Sequence, residues 1–204
     1  MKAKVAIIDY GMGNLYSVRN SFKSLGMIAD IIEGPEKIFS YDKLILPGVG
    51  AFGDAMEELT ARGFIEPLRD FISAGRPFLG ICLGMQLLME KSEESRGIKG
   101  LAVIKGQVRK FSSKLKCPHM GWNKIEKVKK GLKIFKGLGQ DVYAYFCHSY
   151  YVLPRSRQAM AGRTDYGIKF ASVIKEGNVY GMQFHPEKSQ EAGLKLLRNF
   201  IELC

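Results

Sequence analysis

The sequence predicts an α/β fold. It reads as a single domain over residues 1–204, with a mostly parallel central sheet, helices on both faces and antiparallel strands added in the C-terminal half. Three observations lead there. Between residues 4 and 98, short apolar runs alternate with segments of helical period, the pattern of parallel strands joined by crossover helices. After residue 98 the runs become short and alternating, with a hairpin signal at KEGN, residues 175–178. No internal repeat, low-complexity tract or linker divides the 204 residues, a length that supports one sizeable core.

The elements follow in order. KVAIIDYG (4–11) is a β-rich apolar run ending in a glycine turn, a first strand. NLYSVRNSFKSLG (14–26) puts Leu15, Val18, Phe22 and Leu25 on one helical face, with Gly26 as the stop. KLILPGVG (43–50) is a second buried strand, broken by Pro47 and Gly48. DAMEELTARG and FIEPLRDFISAG read as helices closed by glycine. RPFLGIC (76–82) is a third strand and MQLLMEKS (85–92) the next helix. LAVIKGQVRKF, DVYAYFCHSYYV and IKFASVIKEGNVYGMQFHP are the added strands, and residues 190–203 form a closing helix.

Hydrophobic residues make up 46% of the chain and charged residues 25%, ordinary globular values. No apolar run approaches the roughly 20 residues that span a bilayer, and MKAKVAIIDYG lacks a signal-cleavage pattern, so a cytoplasmic protein is expected. Cys82, Cys117, Cys147 and Cys204 are too scattered for a disulfide framework. The net charge of +11 is local. Residues 99–136 hold twelve of the 31 Lys/Arg and one of the 20 Asp/Glu, and the remaining 19 bases and 19 acids cancel. That segment fits a solvated lysine-rich face, a docking site for an acidic protein or anionic substrate, or nucleic-acid binding. No recognition helix or paired aromatic–basic motif accompanies it.

The chemistry concentrates at Gly80-Ile81-Cys82-Leu83-Gly84. This is the G-x-nucleophile-x-G elbow with cysteine at its centre. A nucleophile at a strand-to-helix turn projects beyond the carboxyl end of the sheet, where reactive groups of open α/β folds gather. The crowded turn calls for small residues two positions to either side. A buried cysteine between packing glycines produces the same pattern. The nucleophilic reading needs a base, because a free thiol of pKa about 8.5 is mostly protonated at neutral pH. Only His119, His148 and His185 exist. His185 ends the apolar run YGMQF and precedes Pro186 and Glu187. In an extended segment His-x-Glu puts both side chains on one side, so a carboxylate can orient an imidazole that faces the thiol; a strand-end histidine beside a surface glutamate is the plainer reading. A metal site is the competing use of the same residue types. Cys117, His119, Cys147 and His148 match no common zinc spacing, and adjacent Cys147 and His148 point to opposite faces of a strand, so no metal is expected. Leu83 N–H, at the start of the helix, is one expected oxyanion donor. PGVGAFGD (47–54) is either a second source, its glycines around Val49 letting a peptide turn toward the site, or a simple tight loop.

GICLGMQ followed about a hundred residues later by QFHPEKS resembles the triad-type (class I) glutamine amidotransferases, which hydrolyse glutamine and hand ammonia to a synthase partner. DYGMGNLYSV, LPGVGAFGDAM, HMGWN, HSYYV and TDYG are similar to the branch of that family whose partner is a (β/α)₈-barrel cyclase of histidine biosynthesis. The resemblance covers nearly the whole chain. It implies Cys82 as nucleophile, His185 as general base and acid, and Glu187 as orienter. It also implies an oxyanion strand Gly48–Val49–Gly50 with Val49 N–H donating, and Gln86, Ser149 and Tyr150 around the amino-acid end of glutamine. Asn14, Trp122, Tyr145 and Lys188 would face the cyclase, Tyr145 beside the ammonia exit. It implies no cofactor, no nucleic acid and no membrane. Cys147 stands where a hydrophobic residue is expected. The alternatives are a paralogue supplying ammonia to another synthase, such as a sugar-aminating enzyme of surface polysaccharide synthesis, a stand-alone thiol hydrolase or peptidase, and a nucleic-acid-binding module.

Overall fold

The computed structural model describes residues 3–129 and 131–204. The first half alternates as expected: β1 (Val5–Ile8), α1 (Leu15–Ser24), β2 (Asp30–Ile32), β3 (Lys43–Gly48), α2 (Phe52–Ala61), α3 (Ile65–Ser73), β4 (Phe78–Cys82) and α4 (Leu83–Leu87). The second half runs β5 (Lys91–Ser92), β6 (Gly106–Lys110), β7 (His119–Lys127), β8 (Val142–His148), β9 (Tyr150–Pro154), β10 (Met160–Asp165), β11 (Lys169–Glu176), β12 (Val179–Met182) and α5 (Gln190–Leu203). Among the described residues the strands form a nine-stranded sheet, ordered β2-β1-β3-β4-β12-β11-β10-β7-β8, and a three-stranded sheet, β5-β6-β9.

β2, β1, β3, β4 and β12 are mutually parallel, and β11, β10, β7 and β8 continue the large sheet antiparallel. Successive strand residues point to opposite faces, and two cores follow from that. Ala6, Ile8, Leu44 and Leu46 face α2 and α3 through Ala55, Leu59, Leu68 and Phe71. Val5, Ile7, Ile45 and Leu79 face α1 and α5 through Val18, Phe22, Leu196 and Phe200. Helices therefore cover both faces, as the alternation predicts. Strands buried on both sides read as unbroken apolar runs for the same reason.

Four readings are corrected. α4 ends at Leu87 rather than continuing through residue 92. Backbone amides of Gly100, Leu101, Ala102 and Ile104 take the carbonyls of Glu90, Leu87, Met89 and Leu88, so tertiary pairing replaces further helix turns. DVYAYFCHSYYV breaks at Ser149 into β8 and β9, which belong to different sheets. Of LAVIKGQVRKF only Gly106–Lys110 is strand. β3 runs through Pro47 to Gly48 instead of breaking there. Strands β2, β5, β7 and β10 add to the strands expected from sequence.

Candidate active site

β4 lies between β3 and β12, with Gly48 opposite Cys82 and Met182 opposite Ile81. Three neighbouring strands thus deliver the loop at 48–50, the cysteine and the segment leading to His185 at one carboxyl edge. Cys82 is the last residue of β4 and the N-cap of α4, with φ 53° and ψ −109°. A non-glycine residue there carries strain of about 1–3 kcal/mol, which the packing around it must hold. Both glycines of the elbow are required. A Cβ at Gly80 would lie 2.6 Å from the carbonyl oxygen of Gly84, and one at Gly84 would overlap the carbonyl oxygen of Leu46.

His185 and Glu187 meet: Nδ1 is 2.8 Å from Oε1, with both side chains buried. The route differs from the expected extended segment. Pro186–Lys188 forms a single 3-10 turn with His185 as its N-cap, and this turn brings residues two apart together. Burial pulls the His185 pKa down, but side-chain hydrogen bonds to Cys82 and Glu187, with their negative charges, outweigh it and raise it to about 10. The imidazole therefore holds a proton beside Cys82.

Cys82, His185, Val49, Gly50, Leu83 and Gln86 share a cleft of about 360 Å³ with Ser149, Tyr150, Tyr145, Cys147 and Lys188. Gly48, expected at the substrate, is not among the residues lining this cleft; the hydroxyl of buried Tyr10 occupies the space a side chain there would need. Among the described residues that hydroxyl has no hydrogen-bond partner, and burial, followed by the charge of Cys82, pushes its pKa upward. Gln86 is buried and donates from Nε2 to the Tyr150 carbonyl at 3.0 Å, with Gln183 Oε1 at 3.2 Å. A larger cleft of about 890 Å³, lined by Arg155, Arg157, Arg163 and Lys169, contains none of these groups.

Trp122, Tyr145 and Lys188 also cluster. The Trp122 ring, 49% exposed, meets Tyr145 edge-on at 6.3 Å, and Lys188 Nζ is 6.0 Å from the Tyr145 ring centroid. Asn14 is the N-cap of α1, its side-chain oxygen accepting from Ser17 N at 3.3 Å. Cys117 is exposed, and among the described residues no group of three or more His, Cys, Asp or Glu is arranged to hold a metal ion. Two site groups went unassigned in the sequence reading. Gln183 Nε2 lies 3.9 Å from Cys82 Sγ; its signal was its position two residues before His185 on the same extended segment. His148 lines the cleft, although its sequence neighbours suggested only a metal ligand.

The model of the glutamine amidotransferase class-I family matches residues 6–203. An imidazole glycerol phosphate synthase subunit HisH from Sulfurimonas denitrificans is 52% identical over 204 residues, covering 97% of each chain. The chain belongs to the HisH family of class I glutamine amidotransferases. A HisH subunit from the archaeon Methanocaldococcus jannaschii is 48% identical over 98% of this chain and 99% of its own. Among solved structures, PurLQS from Thermotoga maritima superposes with a TM-score of 0.79 at 17% identity over 98% of both chains. A glutamine amidotransferase superposes at 0.78 and 19% identity, over 98% of this chain and 97% of its own. The HisH chain thus keeps a fold shared with amidotransferases of very different sequence. No helix among the described residues is long and apolar enough to cross a membrane.

Proposed function

We propose that this HisH chain is the glutaminase subunit of imidazole glycerol phosphate synthase, acting through Cys82, His185 and Glu187. Ammonia released in its cleft passes to a (β/α)₈-barrel cyclase subunit for histidine biosynthesis. The observation that carries the reading is a strained elbow thiol and a proton-bearing imidazole in one cleft, with a buried carboxylate bonded to the imidazole.

The chemistry follows from those groups. Sγ of the Cys82 thiolate attacks the side-chain amide carbon of glutamine, forming an S–C bond. Val49 and Leu83 N–H groups stabilise the oxyanion, each worth on the order of 10²-fold in rate. His185 gives its proton to the leaving nitrogen, the C–N bond breaks and ammonia departs. In the thioester the sulfur no longer carries the negative charge that held the proton on the ring. His185 then takes a proton from water as its oxygen attacks the thioester carbon. The C–S bond breaks, giving glutamate and restoring the thiolate–imidazolium pair. Glu187 keeps the ring oriented and stabilises its charged form. Gln86, Ser149 and Tyr150 hold the amino-acid end of glutamine. Trp122, Tyr145, Lys188 and Asn14 face the cyclase, with Tyr145 at the ammonia exit.

The test is glutamate release from glutamine, measured with and without a histidine-pathway cyclase and its nucleotide ligand. Strong stimulation by the complex and its loss in Cys82→Ala are expected. Unchanged turnover in Cys82→Ala would overturn the nucleophile assignment. A cyclase that neither binds nor stimulates would redirect the ammonia to another synthase.

A further inference from the structure

His119 and His148 are buried at 2% and 6% exposure and stand opposite each other on β7 and β8. His148 Nδ1 lies 2.7 Å from the Tyr150 carbonyl oxygen, and His148 Nε2 lies 3.1 Å from His119 Nδ1. His119 Nε2 is 3.2 Å from Asn123 Nδ2, which also donates to the Asp165 carbonyl at 2.9 Å. The Asn123 oxygen is occupied by Lys124 N–H at 2.7 Å, which fixes the orientation of the amide.

These partners assign every proton. A carbonyl only accepts, so His148 carries its hydrogen on Nδ1, and a neutral ring then accepts at Nε2. His119 must donate from Nδ1 and accept at Nε2, where the Asn123 amide supplies an N–H. A second proton on either ring would set N–H against N–H. Burial drives both rings toward the neutral form, His119 to about 4. For His148 burial, joined by the charges of His119 and His185, overcomes the Tyr150 contact and brings it to about 3. The Tyr150 carbonyl is held from its other side by Gln86 Nε2, four residues past the nucleophile. The carbonyl therefore joins the elbow helix to the β7–β8 pair, at a residue that lines the glutamine cleft.

Building on the glutaminase reading, we propose that His148 is a positioning residue for glutamine. It fixes the Ser149–Tyr150 backbone, with its tautomer set by His119 and Asn123. The chain Asn123–His119–His148–Tyr150 carbonyl touches none of the reacting atoms and acts by holding the walls of the cleft still.

The test uses the complex with the cyclase. Steady-state kinetics on glutamine should show His148→Leu raising KM about tenfold with kcat within about twofold, the loss of one hydrogen bond to a buried acceptor. His148→Asn, whose amide N–H sits close to the place of Nδ1, should restore KM toward wild type. Asn123→Ala, half-buried and tolerant of truncation, covers the case in which His148→Leu does not fold; it should raise KM about threefold. Nitrogen NMR of the wild type at neutral pH should find both rings protonated on Nδ1 alone. Unchanged KM in His148→Leu or in Asn123→Ala, a loss in kcat without a change in KM, or an Nε2-protonated ring would overturn the proposal. Should the wild-type complex release no glutamate, the glutaminase reading fails by itself, and the NMR measurement still decides the tautomers.

Discussion

The backbones of Tyr145 and His185 are tied together twice. The His185 amide donates to the Tyr145 carbonyl at 2.9 Å. The Ser189 hydroxyl accepts from the Tyr145 amide at 2.9 Å and donates to the His185 carbonyl at 2.6 Å. Although β8 ends the strand order, it folds back onto the turn after β12 and holds the imidazole in place. Ser189→Ala leaves the Tyr145 amide without its acceptor inside the protein, since Ser189 is 1% exposed, while the His185 carbonyl keeps the Lys188 amide at 3.0 Å. The substitution should cost about 1–3 kcal/mol and lower kcat more than it changes KM, read by denaturant unfolding and steady-state kinetics.

Glu187→Gln removes a negative charge that favours the protonated His185 ring. The wild-type pKa is raised, from 6.5 to about 10. A raised pKa contributes stability that is fully present below the unfolded value, near 6.5, and is lost as pH climbs through the folded value. The wild-type melting temperature should therefore fall between roughly pH 6.5 and 10, and fall less steeply in Glu187→Gln. Turnover should drop on the order of 10²–10⁴-fold, as when a triad loses its orienting carboxylate.

Gly84→Ala puts a methyl into the carbonyl oxygen of Leu46, a backbone atom that cannot swing aside. A loss of about 1–3 kcal/mol is expected from overpacking, with turnover falling because the elbow moves. Gly139→Ala is the control: a Cβ there meets nothing within 4 Å among the described residues, and its stability should stay within about 0.5 kcal/mol of wild type. Chemical denaturation of the pair reads the difference.

Gly50 sits at φ +103°, and a Cβ there would lie 2.8 Å from Met12 Cε. Gly50→Ala forces the loop carrying Val49 into another shape, at a strain of about 1–3 kcal/mol. Stimulated glutaminase turnover should fall on the order of tenfold or more, as expected when an oxyanion donor is displaced. Met12→Ala in the same chain should not restore it, because the strain lies in the backbone.

Much of this was legible in sequence, and the exceptions share a cause. β1, β3 and β4 are buried on both faces and carry unbroken apolar runs; α1, α2, α3 and α5 end where glycine or periodicity says. The close pair His185–Glu187 was legible because the residues are two apart, although a 3-10 turn rather than an extended strand joins them. What escaped depends on distant partners. α4 is cut short by amides from residues 100–104, and β2 has three residues, too few to show a period. His119 and His148 meet across 29 residues of chain, through strand register that no local spacing announces.

The order β3-β4-β12 at the centre of the sheet sets three strands about 4.8 Å apart beneath the 48–50 loop, Cys82 and the segment leading to His185. The β7–β8 pair is joined to that centre through β10 and β11 in the same sheet, through a shared core and through the Tyr145–His185 tie. The edge of the sheet and the central cysteine are thus parts of one body, and a change at the Tyr145–Ser189–His185 tie is felt at both.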